Sequence, residues 1–217
     1  MSSTPLLLFD LDGTLVDTRG DIADSANHVR IAAGLAPLDE STVLGFVGNG
    51  SRNLMERCLE GTGVDPEEGT RAFERHYATR PCERSRLYPG IEELLARTEH
   101  CGRAVVTNKP LRIALLVLEA LGFGGRFRWV IGGRSLARLK PAPDPVDLAV
   151  RAMGGAPDRT WMIGDGPQDV RAGQAAGVRT VAVAWGFHDA ARLADLGPEI
   201  LVHDPLEIVP LTDSAAS

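Results

Sequence analysis

The sequence predicts an α/β protein: a doubly wound parallel sheet with a second, all-helical unit inserted into it. Three observations carry that expectation. Short, nearly continuous apolar runs alternate with helical patterns over the second half of the chain, as expected for strands buried on both faces of a parallel sheet. The interval 18–84 breaks this rhythm and contains helical spacing only. The 217 residues give room for one large domain or a core plus a smaller one, enough to bury roughly 70% of the unfolded surface without a disulfide or metal staple.

Taken in order, the first strand is 6–9, four apolar residues stopped by Asp10. In the insert, Ile22, Ala26, Val29 and Ala33 fall at helical spacing, as do Leu54, Met55, Cys58 and Leu59. Asp65 reads as a helix N-cap with Pro66 at the first helical position and acids behind it, leading into Ala72, Phe73, His76 and Tyr77. The stretch 81–89 joins the insert back. Further strands are expected at 104–106, 129–131, 161–163 and 181–184, with helices at 111–121, 145–153, 170–176 and around 190–196. Gly122, Gly154 and Gly177 stand where helices would stop. Residues 214–217 read as a frayed tail. The expected division is therefore 1–17 with 85–217 as a Rossmann-like core, and 18–84 as a helical domain.

Composition narrows the function classes. Hydrophobic content of 44% and charged content of 24% are globular values, which excludes a disordered, collagenous or coiled-coil chain. A formal charge of -6 argues against binding nucleic acid or a membrane surface by bulk electrostatics. Cys58, Cys82 and Cys101 are odd in number and far apart, so they read as reduced thiols. No stretch has the length of a membrane span, and 5–9 is too short for a signal peptide. A cytoplasmic monomer or homodimer acting on a small molecule is expected.

Chemistry concentrates after the strands. The first leads into Asp10-Leu11-Asp12-Gly13-Thr14-Leu15, two carboxylates two residues apart with a glycine that permits a sharp turn. At about 4 Å and an effective dielectric of 20, such a pair repels by about 4 kcal/mol, so it needs a cation, a shared proton or separation. Thr107-Asn108-Lys109-Pro110 follows the second run, where free N–H groups at a helix start can receive an anion. Lys140 precedes Pro141, and Gly164-Asp165-Gly166-Pro167-Gln168-Asp169 follows another strand. In open parallel sheets reacting groups collect outside the carboxyl ends of the strands, so Asp10, Thr107 and Asp165 can converge. Four acids against Lys140 leave -3 before any anion arrives. Hard oxygen ligands of this kind favour Mg²⁺, and the implied chemistry is in-line phosphoryl transfer to a carboxylate.

The order D-x-D-G-T-L, T-N, K-P, G-D-x-x-x-D resembles the haloacid-dehalogenase superfamily over about residues 5 to 210, and the insert is similar to its type 1 helical cap. Val47-Gly48-Asn49-Gly50, Val106-Thr107-Asn108-Lys109-Pro110 and the Leu139-Lys140-Pro141 segment look like bacterial phosphoglycolate phosphatases. The resemblance implies that Asp10 attacks phosphorus and that Asp12 is the general acid and base. It also implies that Thr107, Asn108 and Lys140 hold the phosphate. Magnesium would lie on Asp10, Asp12 (through its carbonyl) and Asp165, with Asp169 orienting the metal's waters or Lys140. Gly166 departs from the pattern, standing where a small hydroxyl residue is common.

Plainer roles remain open for several residues. Asp169 can be a helix cap, Thr107 a strand-end hydroxyl, and Lys109 a surface lysine, although the chain has only two lysines among 23 basic residues. In the insert, Gly48, Asn49 and Gly50 are a candidate loop over the substrate's distal end or simply a helix break. Arg52 is a candidate clamp for a carboxylate or a solvated surface arginine. The five histidines read as structural. An acid at Asp12 speaks against a dehalogenase, and the absence of lysine from 18–84 against a Schiff-base phosphonate hydrolase. Ile22 stands where a β-phosphoglucomutase-like enzyme would carry a histidine. The implied substrate is 2-phosphoglycolate. The alternatives are a sugar phosphate such as N-acetylmuramate 6-phosphate or a hexose phosphate and, remotely, a non-enzymatic phospho-acceptor switch.

Overall fold

A computed structural model describes residues 4–213; the expected fraying of 214–217 lies outside them. The first half runs β1 (Leu6–Phe9), β2 (Val16–Asp17), α1 (Arg19–Ala32), α2 (Glu40–Leu44), α3 (Gly50–Cys58), α4 (Pro66–Thr79), β3 (Arg86–Leu87) and α5 (Ile91–Arg97). Next come β4 (Gly102–Pro110), α6 (Leu111–Ala120), β5 (Trp129–Gly133), α7 (Asp144–Met153), β6 (Thr160–Gly164) and α8 (Pro167–Ala175). The chain closes with β7 (Arg179–Val183), α9 (Ala190–Ala194), β8 (Ile200–Val202) and α10 (Val209–Asp213).

Six strands form one sheet in the order β5-β4-β1-β6-β7-β8, and all its pairings are parallel. The apolar runs explain why. Because side chains alternate across a strand, Leu7, Phe9, Val105, Trp161, Ile163, Val181 and Val183 face one way and pack on Leu94 and Leu95 of α5 and Val117 and Leu118 of α6. Leu8, Ala104, Val106, Ile131 and Met162 face the other way, onto Val146, Ala149 and Val150 of α7 and Ala172 of α8. Both faces are dry, which a strand with alternating polar residues would not permit. Helices α6, α7 and α8 run out just before Gly122, Gly154 and Gly177, each with positive φ.

Helix α5 is absent from the sequence expectations, and three further features differ from them. The second long strand does not end at residue 106: β4 continues through Thr107, Asn108 and Lys109 to Pro110, which pairs with Gly133 after a register shift. Those polar residues are buried because they face a cavity, and a polar run in sequence reads the same whether it faces a site or solvent. The three-residue β8 is too short to show a period. So is the antiparallel pair β2–β3, in which Val16 faces Leu87 and Asp17 faces Arg86.

That small pair brackets the helical interval. Within it the Asp65 side chain accepts from the Glu67 N–H at 3.1 Å, and Pro66 opens α4, as the sequence suggested. At its base, buried Asp21 accepts from the Arg84 N–H (2.9 Å), the Ser85 N–H (2.9 Å) and the Ser85 hydroxyl (2.5 Å). The start of α1 is thereby tied to the returning chain. The insert's Ile22, Leu54, Met55, Phe73 and Tyr77 share one apolar cluster with Leu11, Leu15 and the strands of the sheet. None of the three cysteines is in a disulfide, and burial pushes the Cys58 thiol up to about 11.

Candidate active site

The carboxyl ends of β1, β4 and β6 meet beneath the insert. Asp10, the residue after β1, is buried, and its Oδ1 accepts from the Leu11 N–H at 2.8 Å. Gly13 then turns the chain at φ 82°. A Cβ there would lie 2.3 Å from Asp165 Oδ2, so only glycine lets this loop approach the acid after β6. Asp165 is held on both oxygens: Oδ1 accepts from the Thr14 hydroxyl at 3.1 Å and Oδ2 from the Phe187 N–H at 2.8 Å.

Lys140 lies under the acids with its side chain fully buried. Its ammonium donates to the Val106 carbonyl (2.5 Å) and to Asp169 Oδ1 (2.6 Å), and sits 3.1 Å from Asp10 Oδ1. Three acceptors use all three of its N–H bonds. Asp169 combines the two roles left open for it: the other oxygen, Oδ2, accepts from the Gly166 N–H at 3.0 Å and closes the first turn of α8. The Thr107 hydroxyl lies against Asp10 and accepts from the Lys109 N–H at 3.2 Å. The Asn108 side chain bridges three segments, donating to the carbonyls of Gly48 and Lys140 (2.8 Å each) and accepting from the Lys140 N–H at 2.9 Å.

Asp12 faces a different way. Its Oδ1 accepts from the Thr18 hydroxyl at 2.7 Å and from the Lys109 ammonium at 2.9 Å. Lys109 is not a surface lysine: its side chain is 5% exposed, and its ammonium lies 4.1 Å from the centre of the Tyr77 ring on α4. The charge count changes accordingly. Two lysines against four acids leave -2, not -3.

A divalent cation fits this arrangement. Carboxylate oxygens of Asp10, Asp165 and Asp169 lie within 4.8 Å of one another, all three residues buried. Burial raises the Asp10 carboxyl above its usual range, Lys140 opposes this, and Asp165 and Asp12 add to it. Burial likewise pushes Asp169 up to about 7 against the pull of Lys140, with Asp10 and Asp165 contributing. Shifts in that direction mean that the negative charge is under-compensated by protein groups. A hard cation held by oxygens would supply what is missing.

Above the acids is a cavity of about 50 Å³. Its wall includes Asp10, Asp12, Thr107, Asn108, Lys109 and Asp165, with Ile22, Val47, Leu54 and Phe73 of the insert opposite. Gly48 and Gly50 are on that wall, both at positive φ; a Cβ on Gly48 would sit 3.2 Å from the Gln168 amide. Asn49 and Arg52 are not brought into it and line a neighbouring groove. Arg52 is 70% exposed and donates to Glu56 at 3.0 Å on its own helix, with Glu67 at 4.0 Å, so in this structure its side chain is directed away from the cavity over Asp10.

Other wall residues escaped the motif pattern. Gln168 occupies the space beside Gly166, where a Cβ would fall 2.0 Å from its amide nitrogen; a hydroxyl residue at 166 would require that side chain to move. Phe187 and His188 follow β7, placed by the Trp185 indole N–H, which donates to the Thr14 carbonyl at 3.0 Å. His188 Nδ1 stands 3.6 Å from Asp165, which raises the imidazole's pKa against the effect of burial. The strand-end rule that found Asp165 points to this segment too.

Fold and site together define an enzyme of the haloacid dehalogenase-like hydrolase family, and this chain belongs to it: the family model matches residues 7–183. More particularly, it is 36% identical to the N-acetylmuramic acid 6-phosphate phosphatase of Pseudomonas aeruginosa, covering 96% of this chain and 95% of that one. It is 38% identical to the phosphoglycolate phosphatase of Mesorhizobium japonicum, covering 86% of each. A crystal structure from Haemophilus somnus 129PT, described as a predicted phosphoglycolate phosphatase, superposes with a TM-score of 0.90 at 30% identity, covering 98% of this chain and 99% of that one.

Proposed function

We propose that this chain is a Mg²⁺-dependent phosphatase of small phosphate monoesters, with 2-phosphoglycolate its substrate, and that residues 18–84 act as a cap over a core formed by 1–17 and 85–217. Its partner is a small phosphorylated metabolite of the cytoplasm, with neither nucleic acid nor membrane involved. The observation that carries the assignment is the meeting of Asp10, Asp165, Asp169 and Lys140, all buried, under a cavity of about 50 Å³. The wall opposite the acids is largely apolar, formed by Ile22, Val47, Leu54 and Phe73.

Asp10, Asp165 and the Asp12 carbonyl would hold the cation, with Asp169 behind them. When bound, Mg²⁺ neutralises the acids and draws charge from the phosphoryl oxygens. The remaining work falls to protein groups. A carboxylate oxygen of Asp10 forms a bond to phosphorus as the bond from phosphorus to the ester oxygen breaks, giving an aspartyl-phosphate. Asp12 passes a proton to the departing alkoxide, then takes one from the water that attacks phosphorus and releases Asp10. The Thr107 hydroxyl faces the transferring group, Lys140 acts on it through Asp10, and the Asn108 side chain fixes the loop carrying Lys140.

A second assignment is favoured by the Pseudomonas aeruginosa relative, matched over nearly the whole of both chains: hydrolysis of N-acetylmuramate 6-phosphate. Measuring kcat/KM on 2-phosphoglycolate, N-acetylmuramate 6-phosphate and hexose phosphates separates the two. Phosphoglycolate is expected to lead by at least tenfold, and Asp10→Asn to abolish turnover of every ester while the chain remains folded. A sugar phosphate ahead by tenfold overturns the substrate, and an active Asp10→Asn overturns the nucleophile.

A further inference from the structure

The proposed mechanism leaves Lys109 unused. Its ammonium donates to Asp12 Oδ1 at 2.9 Å and less closely to Oδ2 at 3.3 Å, and lies over the Tyr77 ring. The fully buried Tyr77 hydroxyl lies beside it and interacts with the ammonium. Burial works to lower the pKa of this ammonium, but Asp12 and Tyr77 outweigh it and hold the pKa above the usual lysine range. Among the described residues on the cavity wall, Lys109 is the one permanent cation. Lys140 is no substitute, because its three N–H bonds end on Val106, Asp169 and Asp10.

Position decides what Lys109 can touch. Asp10 and Lys140 mark the phosphoryl end of the cavity, and Asp12 marks the ester oxygen. Oδ1 of Asp12 accepts from both Thr18 and Lys109, whereas Oδ2 accepts only the longer bond from Lys109 and is the freer oxygen for the ester. Lys109 is 3.3 Å from that atom, on the side where the organic part of the substrate begins. A carboxylate one carbon beyond the ester oxygen reaches back by about a bond length or two and falls within reach of the ammonium. On the opposite wall Ile22, Val47, Leu54 and Phe73 are apolar, and Gly48, Gly50 and Ser51 carry no charge.

We propose that Lys109 is the specificity residue of this enzyme: its ammonium pairs with a carboxylate on the carbon next to the ester-bearing oxygen, selecting 2-phospho-hydroxyacids over neutral esters. This rests on the phosphatase assignment above. It gives Lys109 the task the sequence suggested for Arg52, which is turned toward Glu56 and Glu67 in this structure.

The test compares 2-phosphoglycolate with 2-hydroxyethyl phosphate, its neutral counterpart of similar length, in the wild-type chain and in Lys109→Gln. Glutamine keeps a donor for Asp12 but removes the charge. The wild-type preference for phosphoglycolate in kcat/KM is expected to be about 100-fold and to fall below about threefold in the variant, mainly through KM, a loss of ground-state binding. If both substrates slow by the same factor and the preference survives, Lys109 only positions Asp12 and the proposal fails. A wild-type chain that turns over the neutral ester as well as phosphoglycolate overturns the substrate assignment and the role of Lys109 together.

A second measurement does not depend on the variant folding. Competitive inhibition of the wild-type enzyme by 3-phosphonopropionate is expected to be at least tenfold tighter than by propylphosphonate. Equal inhibition constants would exclude a carboxylate subsite.

Discussion

Asp10 and Asp12 are two residues apart, yet they face different cations: Asp10 faces Lys140 beneath the sheet's mouth, and Asp12 faces Lys109 under the insert. Separation and pairing thus relieve the repulsion that their spacing implies. The titration of the buried acids gives a sign that can be checked. Asp169 is pushed from 3.8 up to about 7, and Asp10 moves in the same direction. Both carboxyls therefore bind more protons folded than unfolded, and the metal-free chain is expected to lose stability as pH rises from about 4 to about 7. A divalent cation replaces those protons, so its stabilising effect should grow over the same window. Calorimetry with and without Mg²⁺ should give a clearly larger rise in Tm at pH 8 than at pH 5; equal rises would exclude these acids as the ion's site. Arg52→Ala should leave KM for phosphoglycolate within twofold, whereas a tenfold increase would restore the clamp suggested by the sequence. The acids were legible because their types, order and strand-end positions are all written locally. The burial of Lys109 was not, since it depends on Asp12 and Tyr77, which are 97 and 32 positions away in the chain.

At the scale of elements, the long strands and the helices between them were readable from apolar runs and helical spacing, which both faces of the sheet repeat consistently. What escaped was either too short to show a period, such as β2, β3 and β8, or polar for the sake of the site, such as the last third of β4. The joint between the insert and the sheet is likewise built from single residues. Asp21 accepts two backbone N–H groups and one hydroxyl from Arg84 and Ser85. Replacing it by alanine would leave buried donors unsatisfied, each at a cost of about 1–3 kcal/mol. Asp21→Ala is therefore expected to lower stability by about 3 kcal/mol in urea titration, while Asp21→Asn, which keeps one acceptor, should lose less. A change under 0.5 kcal/mol on the alanine substitution would remove this joint from the fold's supports.

Across the whole molecule, one apolar cluster runs from the insert through Leu11 and Leu15 into the sheet. The cavity is walled by both parts, and neither forms it alone. Positive charge is distributed unevenly by kind. Among the described residues arginine supplies the permanently charged basic groups of the surface, while the two lysines of the chain, Lys109 and Lys140, have side chains only 5% and 0% exposed. For amine-directed reagents the exterior therefore offers no lysine target. Lysine-directed labels and cross-linkers will find no exposed lysine side chain, and any lysine they do modify reports from inside the cleft. Surface mapping of this protein calls for guanidinium- or carboxyl-selective chemistry.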